Sequence, residues 1–552
     1  MTAPRTYITT TIPYVNARPH IGFALELVQA DVLARFRRER GDTVRFQAGT
    51  DDNSLKNVLA AEAAGTPVRE FVDRNAEAFL ALGDALSLSV DDVIRTSRDP
   101  RHRPGVERFW RACANAGDLY RNRYEGLYCT GCEQFYAAAE LSDGCCPEHD
   151  TVPQQVAEEN WFFRLSRYAG PLREAITTGR LRIEPAGRRN EVLAFIDCGL
   201  ADFSVSRPAE RAGGWGIAVP DDPDQVIYVW FDALCNYVTA LGYGTGDAGY
   251  RQWWTEDDSR GRRIHLLGKG VLRFHAVYWP AMLLSAGQPL PSDIFVHDYL
   301  TAGGRRISKS AGPVVSSPAA LAAEYGADAV RWWLLREVPR VGDADFTVER
   351  LIARADDELA NGLGNLVNRV VAMIHRYRDG HVPDRPGTTG FVSDGASGGP
   401  SGSTEGLDEA CRQAAGLAGA ALEQFDFRQA TGAVWAIADE ANRFVNRVRP
   451  WDLAKAERDG DAGALGGSGS FGSLGSLGAF GAGALLDAAL RTLLDACQTL
   501  GRELSPFLPD AAARIAAQCT PGQDGRLPAP CPVFRRLAPR PSAGTPGATA
   551  VR

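Results

Sequence analysis

Residues 7–41 read YITTTIPYVNARPHIGFALELVQADVLARFRRERG and decide the fold of the first part of the chain. The stretch opens with a β-branched, apolar run typical of a buried strand. After the turn that holds His20, its apolar residues follow the spacing of a helix, which Gly41 is expected to end. A second strand-like run at 43–50 and a second helix from Ser54 follow. Strands that alternate with helices in this order predict a parallel, doubly wound α/β sheet.

The alternation stops after residue 119 and resumes near residue 225. The intervening residues contain short strand-like runs, turns and a cluster of cysteines, which predicts an insertion. The runs QVIYVWFDALCNYV, RRIHLLGKGVLRFHAVYWPAML and DIFVHDYL then restore the pattern, so the sheet is predicted to consist of two halves. From residue 318 onward, apolar residues at helical spacing predominate and predict a helical bundle.

Length and composition limit the class of protein. A chain of 552 residues is expected to hold more than one domain. It is 45% hydrophobic, yet it has no apolar run of the roughly 20 residues that a membrane span needs. Its first residues lack the pattern of a secretion signal, so a cytoplasmic protein without membrane association is expected. The net charge of −8 leaves RNA binding open, because an acidic protein can bind RNA through a local basic surface.

Four cysteines are crowded between residues 129 and 146, and they predict a metal site. Cys129 and Cys132 form one C-x-x-C pair, and Cys146 and His149 form a C-x-x-H pair. Three thiolates and an imidazole provide the tetrahedral ligand set that Zn²⁺ favours, and a set supplied entirely by protein predicts a structural site. Cys145 is an alternative ligand to Cys146.

Two short segments have the composition of phosphate-binding loops. The triplet at residues 20–22, HIG, lies where backbone N–H groups and a helix N-terminus favour an anion, and His20 could add a donor. A histidine before a helix is also commonly a cap or a surface residue. The segment RRISKS at 305–310 offers an ammonium and two hydroxyls, and Lys309 could neutralise charge on a transferring phosphoryl group. A solvated basic turn has the same composition.

The basic residues are almost all arginines. Of the 60, only Lys56, Lys269, Lys309 and Lys455 are lysines. A lysine retained against this bias indicates a position that needs a compact ammonium rather than a planar guanidinium. Lys269 and Lys309 lie in loops bordered by glycine or serine, as phosphate-binding loops do.

These features together resemble class I aminoacyl-tRNA synthetases, and the finer matches resemble the methionyl-tRNA synthetases of the compact bacterial type. The coarse features are the HIG triplet, the cysteine knuckles, the ISKS loop and the helical end of the chain. The finer matches run from residue 11 to residue 455 and are TIPYVN, ADVLARF, GTDD, EENWFFRLSRY, ADFSVSR, YVWFDAL, FHAVYWPAML, ELANGLGNLVNR and NRFVNRVRPWDLAK.

The resemblance implies a Rossmann-type nucleotide-binding sheet, split by a zinc-ribbon insertion and followed by an all-α helical bundle. The implied domains are a first catalytic half at 1–119, a zinc-binding connective insertion at 120–224, a second catalytic half at 225–302, a KMSKS-loop and stem-contact region at 303–355, a helical anticodon-binding domain at 356–535 and a flexible tail at 536–552.

The resemblance also implies roles for individual residues. The ATP-binding set is His20, Gly22, Phe23, Gly268, Lys269, Arg306, Ile307, Ser308, Lys309 and Ser310, with His20 and Lys309 as catalytic residues. The methionine pocket is Ile12, Tyr14, Trp230, Ala233, Tyr237 and His297, with Asp51 holding the substrate ammonium. Apolar and aromatic walls suit a thioether, although Trp230 and Tyr237 could equally be core residues. The residues implied to read the tRNA anticodon are Asn365, Arg369 and Trp451.

The implied reaction has two steps. Methionine carboxylate attacks the α-phosphate of ATP, and a 3′-end hydroxyl of tRNA(Met) then takes the methionyl group from the adenylate. The implied partners are ATP, L-methionine and tRNA(Met), the implied cofactors are Mg²⁺ with ATP and one structural Zn²⁺, and a monomer is expected.

Several positions depart from the family pattern on the nucleotide side. Phe23 stands in place of a second histidine, Arg306 in place of the first KMSKS lysine, Gly270 in place of an aspartate, DDNS at 51–54 in place of an acidic-His-Gly stretch, and Leu234 beside the amino-acid pocket in place of proline or threonine. The departures leave two alternatives to an active ligase. One is a tRNA-binding or regulatory paralogue with weak or no adenylation, and the other supplies aminoacyl-adenylate or aminoacyl-tRNA to specialised metabolism.

Overall fold

The structure is a computed structural model that describes residues 3–129, 134–136, 138–147, 151–246, 248–255, 261–307, 317–384, 405–460 and 481–537. It divides into two compact units. The first is Met1–Leu321 with Pro339–Asp345, and the second is Ala322–Val338 with Phe346–Arg552. No helix in these described ranges is long and apolar enough to cross a membrane.

The strands all lie in the first unit. They are β1 (Arg5–Thr10), β2 (Thr43–Thr50), β3 (Asp92–Arg95), β4 (Leu119–Cys129), β5 (Gln134–Tyr136), β6 (Gln154–Phe163), β7 (Arg182–Glu184), β8 (Phe203–Ser204), β9 (Ser206–Pro208), β10 (Ala218–Val219), β11 (Asp222–Ile227), β12 (Arg262–Gly268), β13 (Asp293–His297), β14 (Leu300–Ala302), β15 (Arg305–Arg306) and β16 (Ala344–Asp345).

The helices are distributed over both units. They are α1 (Ile21–Glu39), α2 (Leu55–Ala63), α3 (Val68–Leu80), α4 (Leu82–Ala85), α5 (His102–Asn115), α6 (Ala169–Thr177), α7 (Ala186–Asp197), α8 (Val229–Leu234), α9 (Asn236–Thr239), α10 (Ala248–Tyr250), α11 (Trp279–Ser285), α12 (Pro318–Tyr325), α13 (Ala327–Arg336), α14 (Val348–Arg354), α15 (Asn365–Arg378), α16 (Glu405–Glu423), α17 (Phe427–Val448), α18 (Pro450–Asp459), α19 (Ala482–Leu504) and α20 (Pro509–Cys519). Short 3₁₀ turns lie at Ala138–Glu140, Leu165–Tyr168 and Lys269–Val271, and π-helical segments lie at Arg251–Thr255, Phe274–Tyr278 and Ala355–Gly364.

A six-stranded parallel sheet in the order β3-β2-β1-β12-β13-β7 forms the centre of the first unit. This confirms the parallel α/β fold predicted from the sequence. Strands β1 and β12 come from the two predicted halves and pair directly, from Thr6 with Arg262 to Thr10 with Leu266. In sheets of this kind ligands bind outside the carboxyl ends of the strands at such a reversal of strand order.

The predicted insertion contributes to more than one sheet. Strands β5, β4, β6 and β8 form an antiparallel sheet of their own, and β10, β11 and β9 form a smaller one. Strand β7, which also lies within residues 120–224, instead pairs in parallel with β13 at the edge of the central sheet. This part of the chain therefore completes the nucleotide-type sheet as well as interrupting it.

The local sequence signals of the first helices agree with the structure. Gly41, with φ of +89°, follows α1 as expected of a helix stop. The Ser54 hydroxyl accepts a hydrogen bond from the Lys56 N–H at 3.0 Å and caps α2. These two ends place the His20 turn and the DDNS stretch directly after β1 and β2.

The second unit is helical, as predicted. Its core contains the buried side chains of α17 and α19, including Val434, Phe444, Leu490 and Leu500. The buried guanidinium of Arg331 donates to the carbonyls of Phe507 at 2.8 Å and Pro506 at 3.1 Å. These carbonyls satisfy a charge that would otherwise be costly to bury.

Candidate functional site

A cavity of about 280 Å³ lies where the carboxyl ends of β1, β2, β12 and β13 meet. The structure brings together at its wall all seven residues that the sequence resemblance assigned to methionine, namely Ile12, Tyr14, Asp51, Trp230, Ala233, Tyr237 and His297. Five residues of the predicted ATP set also line it, namely His20, Gly22, Phe23, Gly268 and Ile307. The side chain of Arg306 is not described, and Ser308, Lys309 and Ser310 lie outside the described residues.

His20 caps the helix whose N-terminus faces the cavity. Its Nδ1 accepts a hydrogen bond from the N–H of Gly22 at 3.1 Å, so the proton of the neutral ring is on Nε2. A Cβ at position 22 would lie 2.9 Å from the His20 ring, which explains the glycine. The cap and the predicted phosphate donor are therefore compatible, because capping uses one ring nitrogen and leaves the other with an N–H.

Phe23 packs against the histidine instead of offering a second donor. Its ring centroid lies 4.4 Å from that of His20 and 5.4 Å from that of Phe79. Phe79 is buried in a small apolar cluster with Val15 and Val72, and Phe23 packs against that cluster. The departure from the family pattern thus exchanges a polar group for apolar contact at the same wall.

Aromatic rings form the amino-acid side of the cavity. Trp230 is stacked on Phe274 with centroids 3.7 Å apart and an angle of 7° between the planes. Tyr14 meets Trp230 edge to face at 6.2 Å. Such faces provide a polarizable apolar surface of the kind a thioether contacts favourably.

Tyr237 and His275 form a hydrogen-bonded pair behind these rings. The His275 Nδ1–H donates to the carbonyl of Val271 at 2.9 Å, so Nε2 accepts the hydrogen bond from the Tyr237 hydroxyl at 2.8 Å. Burial lowers the pKa of His275 to about 4, and burial also raises the pKa of Tyr237. Both side chains are therefore neutral at physiological pH. The sequence analysis quoted FHAVYWPAML but assigned no role to His275, although a histidine in so apolar a run was the available signal.

Glu26 is a second cavity residue that sequence reasoning missed. Its Oε1 accepts from the backbone N–H of Thr11 at 2.6 Å and from the Thr11 hydroxyl at 2.7 Å. Its Oε2 lies 3.1 Å from Nε2 of His297. The signal was an acidic residue within the apolar part of the α1 pattern, ALELVQADV. The carboxylate ties the end of β1 to the end of β13.

The two aspartates that follow β2 have different surroundings. Asp51 is 2% exposed, lines the cavity and accepts from the N–H of Asn53 at 3.2 Å. Asp52 is directed elsewhere and pairs with Arg95 at 3.0 Å and with the Ser97 hydroxyl at 2.7 Å. Of the pair, only Asp51 is therefore placed to meet a substrate ammonium.

Lys269 is not among the residues that line the cavity. Its Nζ lies 2.6 Å from Oδ1 of Asp343 and 3.6 Å from Oδ1 of Asp298. It also lies 4.4 Å from the centroid of the Tyr299 ring. The predicted contact of this lysine with ATP is thus replaced in the structure by contacts with two carboxylates.

The predicted zinc site is described only in part. Cys129 and Cys146 are buried in one small cluster with Tyr136, and the Cys146 sulfur is 3.4 Å from the Tyr136 hydroxyl. Cys132 and His149 lie outside the described residues. Within the described part of the chain, no group of three or more histidine, cysteine or acidic side chains is arranged to hold a metal ion.

The three predicted anticodon residues all belong to the helical unit. Asn365 and Arg369 lie on α15, four residues apart, so they share a face of that helix. Asn365 is exposed and Arg369 is half-buried. Trp451, in the first turn of α18, is 39% exposed, which is unusual for so large a ring.

Comparison with known proteins points to one family. The family model described as tRNA synthetases class I (M) matches residues 6–155 and 138–371. The methionine–tRNA ligase of Thermotoga maritima is 38% identical over 453 residues, covering 81% of this chain and 68% of its own length, and that of Brucella suis is 36% identical over 558 residues, covering 97% and 98%. The solved structure of Mycobacterium tuberculosis methionyl-tRNA synthetase in complex with methionyl-adenylate superposes with a TM-score of 0.85 at 33% identity, covering 97% of this chain and all of that one.

Proposed function

The chain belongs to the methionine branch of the class I tRNA synthetases, and we propose that the cavity at the junction of β1 and β12 is where it performs the reaction of that branch. This enzyme activates methionine with ATP and transfers the methionyl group to tRNA. One observation supports the location above all: aromatic walls, a buried carboxylate and the N-terminus of α1 converge on a single cavity.

Methionine would occupy the aromatic side of the cavity. The faces of Trp230 and Tyr14 would contact its thioether, and Asp51 would hold its α-ammonium, because a buried carboxylate offers the charge complement of that group. The neutral His275 would keep the Tyr237 hydroxyl engaged, so the pocket would present no charge to the side chain. A pocket without charge favours methionine over polar amino acids.

ATP would lie on the other side, over the N-terminus of α1. Backbone N–H groups there and the Nε2–H of His20 would donate to the α-phosphate. A methionine carboxylate oxygen attacks the α-phosphorus, the bond to the bridging oxygen breaks, and pyrophosphate leaves. A tRNA hydroxyl then attacks the carbonyl carbon and AMP leaves. Positioning and charge stabilisation carry both steps, with Lys309 and Mg²⁺ expected to neutralise phosphate charge.

We also propose a structural zinc ion held by Cys129, Cys132, Cys146 and His149. The burial of Cys129 and Cys146 in one cluster supports this, because it brings one member of each knuckle together. Thiolates and imidazole are ligands that Zn²⁺ prefers. The ion would hold the insertion in shape and take no part in the chemistry.

The remaining assignments follow the family. Asn365, Arg369 and Trp451 would bind the anticodon loop of tRNA(Met), with amide and guanidinium groups bonding base edges and the indole stacking on a base. The exposure of Trp451 supports this role. A monomer in the cytoplasm is the proposed state, in keeping with relatives that act in translation.

The decisive experiment measures amino-acid-dependent pyrophosphate–ATP exchange with each of the standard amino acids, followed by charging of tRNA(Met). Exchange with methionine alone and charging of that tRNA are expected. Asp51→Asn should raise the methionine KM strongly, and Asp357→Asn, at an exposed position of the helical unit, is the matched control. Exchange with no amino acid would favour the regulatory paralogue, and exchange with a different amino acid would overturn the methionine assignment.

A further inference from the structure

The surroundings of Lys269 point to a role other than phosphate binding. Its ammonium lies between the carboxylates of Asp343 and Asp298 and over the ring of Tyr299. Asp343 belongs to residues 339–345, which we call the strap. The strap packs with the first unit, while the chain on both sides of it belongs to the second.

The strap bonds directly to the segment that follows β13 and lines the cavity. Oδ1 of Asp343 accepts the backbone N–H of Tyr299 at 2.9 Å. In the reverse direction, Oδ2 of Asp298 accepts the backbone N–H of Gly342 at 2.7 Å. Although burial acts to raise it, hydrogen bonds from Gly342 and Arg188 and the charges of Arg188 and Lys269 hold the pKa of Asp298 below its usual range. The segment is thus fixed by charge-assisted bonds on both sides.

The strap also bonds to the chain that leads toward the ISKS motif. Oδ1 of Asp345 accepts the Thr301 hydroxyl at 2.8 Å and the backbone N–H of Gly304 at 2.9 Å. Strand β16 of the strap pairs with β14. Ile307, which follows this turn, bonds through its N–H to the carbonyl of Leu300 at 3.2 Å and lines the cavity.

The Lys269–Asp343 pair is poorly placed to stabilise the fold. The Asp343 side chain is 41% exposed and that of Lys269 is 24% exposed. Ion pairs this exposed contribute little to stability because water screens them. Yet the pair joins the residue after Gly268 to the backbone of Tyr299, and both Gly268 and Tyr299 lie at the cavity wall. Its contacts therefore bear on the shape of the nucleotide side more than on folding.

We propose that Lys269 and Asp343 are a pair of positioning residues for ATP, in which the lysine acts by fixing Asp343 and the Tyr299 backbone and does not touch the nucleotide. The inference rests on the proposed function of the cavity. It explains why a lysine is retained at this position in an arginine-rich chain: a compact ammonium can approach two carboxylates and a ring face at once, whereas a planar guanidinium cannot.

The test is a double-mutant cycle with Asp343→Asn, Lys269→Met and the double variant, read by pyrophosphate–ATP exchange. Each single change should raise the KM for ATP on the order of tenfold, because a charge-assisted bond is lost. The KM for methionine and kcat should stay at the wild-type values. The double variant should be no worse than either single one, since both remove the same contact. Asp343→Glu should recover most of the loss.

Val341→Ala is the matched control on the strap, because Val341 is 61% exposed and belongs to no proposed site. Effects that multiply in the double variant, or a fall in kcat with Lys269→Met alone, would show direct contact with the transferring phosphate and overturn the inference. Unchanged ATP KM values in variants of an active wild type would also overturn it. Wild-type protein without methionine-dependent exchange would instead refute the proposed function.

Discussion

Replacing Tyr237 with phenylalanine tests the amino-acid side of the cavity most directly. The change removes the hydroxyl that donates to Nε2 of His275 at 2.8 Å and keeps the ring that stacks on His265 at 4.2 Å. Nε2 of His275 cannot recover by protonation near neutral pH, because burial lowers the pKa of that histidine to about 4. The variant therefore leaves a buried acceptor without its partner.

The cost follows from that loss. An unsatisfied buried acceptor costs about 1–3 kcal/mol, which corresponds to roughly 5- to 150-fold in an equilibrium or rate constant. Where the pair shapes the methionine pocket, this cost should appear in kcat/KM for methionine. The KM for ATP should not change, since the pair lies on the opposite side of the cavity from the α1 N-terminus.

The assay is methionine-dependent pyrophosphate–ATP exchange, with Tyr7→Phe as the matched control. Tyr7 is also buried, and its hydroxyl donates to the Tyr237 carbonyl at 3.0 Å and to Gln47, but it does not line the cavity. The control should lower the melting temperature without changing the methionine KM. An unchanged kcat/KM for methionine in Tyr237→Phe, or an equal loss in both variants, would refute the reasoning.

Three further predictions concern the nucleotide side, pH and zinc. Phe23→His should raise kcat of exchange by up to about 100-fold, the usual value of one transition-state donor; an unchanged rate would show that Phe23 marks no missing donor. Because the folded pKa of His275 is about 4 against an ordinary 6.5, the unfolded chain takes up its proton first, so stability from this group is complete above about pH 6.5 and falls as the pH drops toward 4. The difference corresponds to roughly 3 kcal/mol, and denaturant unfolding at pH 4 to 7 should show it, less so in His275→Gln. Metal analysis should find zinc that a strong chelator removes and that Cys146→Ser protein lacks; zinc retained by Cys146→Ser and lost by Cys145→Ser would reassign the ligand.

Much of the fold could be predicted from the sequence because its signals are local. The strand and helix of residues 7–41 follow from β-branched residues, helical spacing and a terminal glycine, all of which act within a few residues. The same is true of the Ser54 cap. The edge strand β7 could not be predicted in this way, because three residues in a segment without clear periodicity join the sheet only through pairing with β13.

The sequence by itself determined the parallel sheet, the helical unit, and the identity of the residues that motifs mark, such as His20, Asp51 and Trp230. Only the tertiary structure decided which polar groups meet across elements distant in the chain. It joined Glu26 to His297, Tyr237 to His275, and Lys269 to Asp343. The physical reason is that these bonds are set by the packing of strands and helices against each other, and no local pattern in a sequence records which buried donor will face which acceptor.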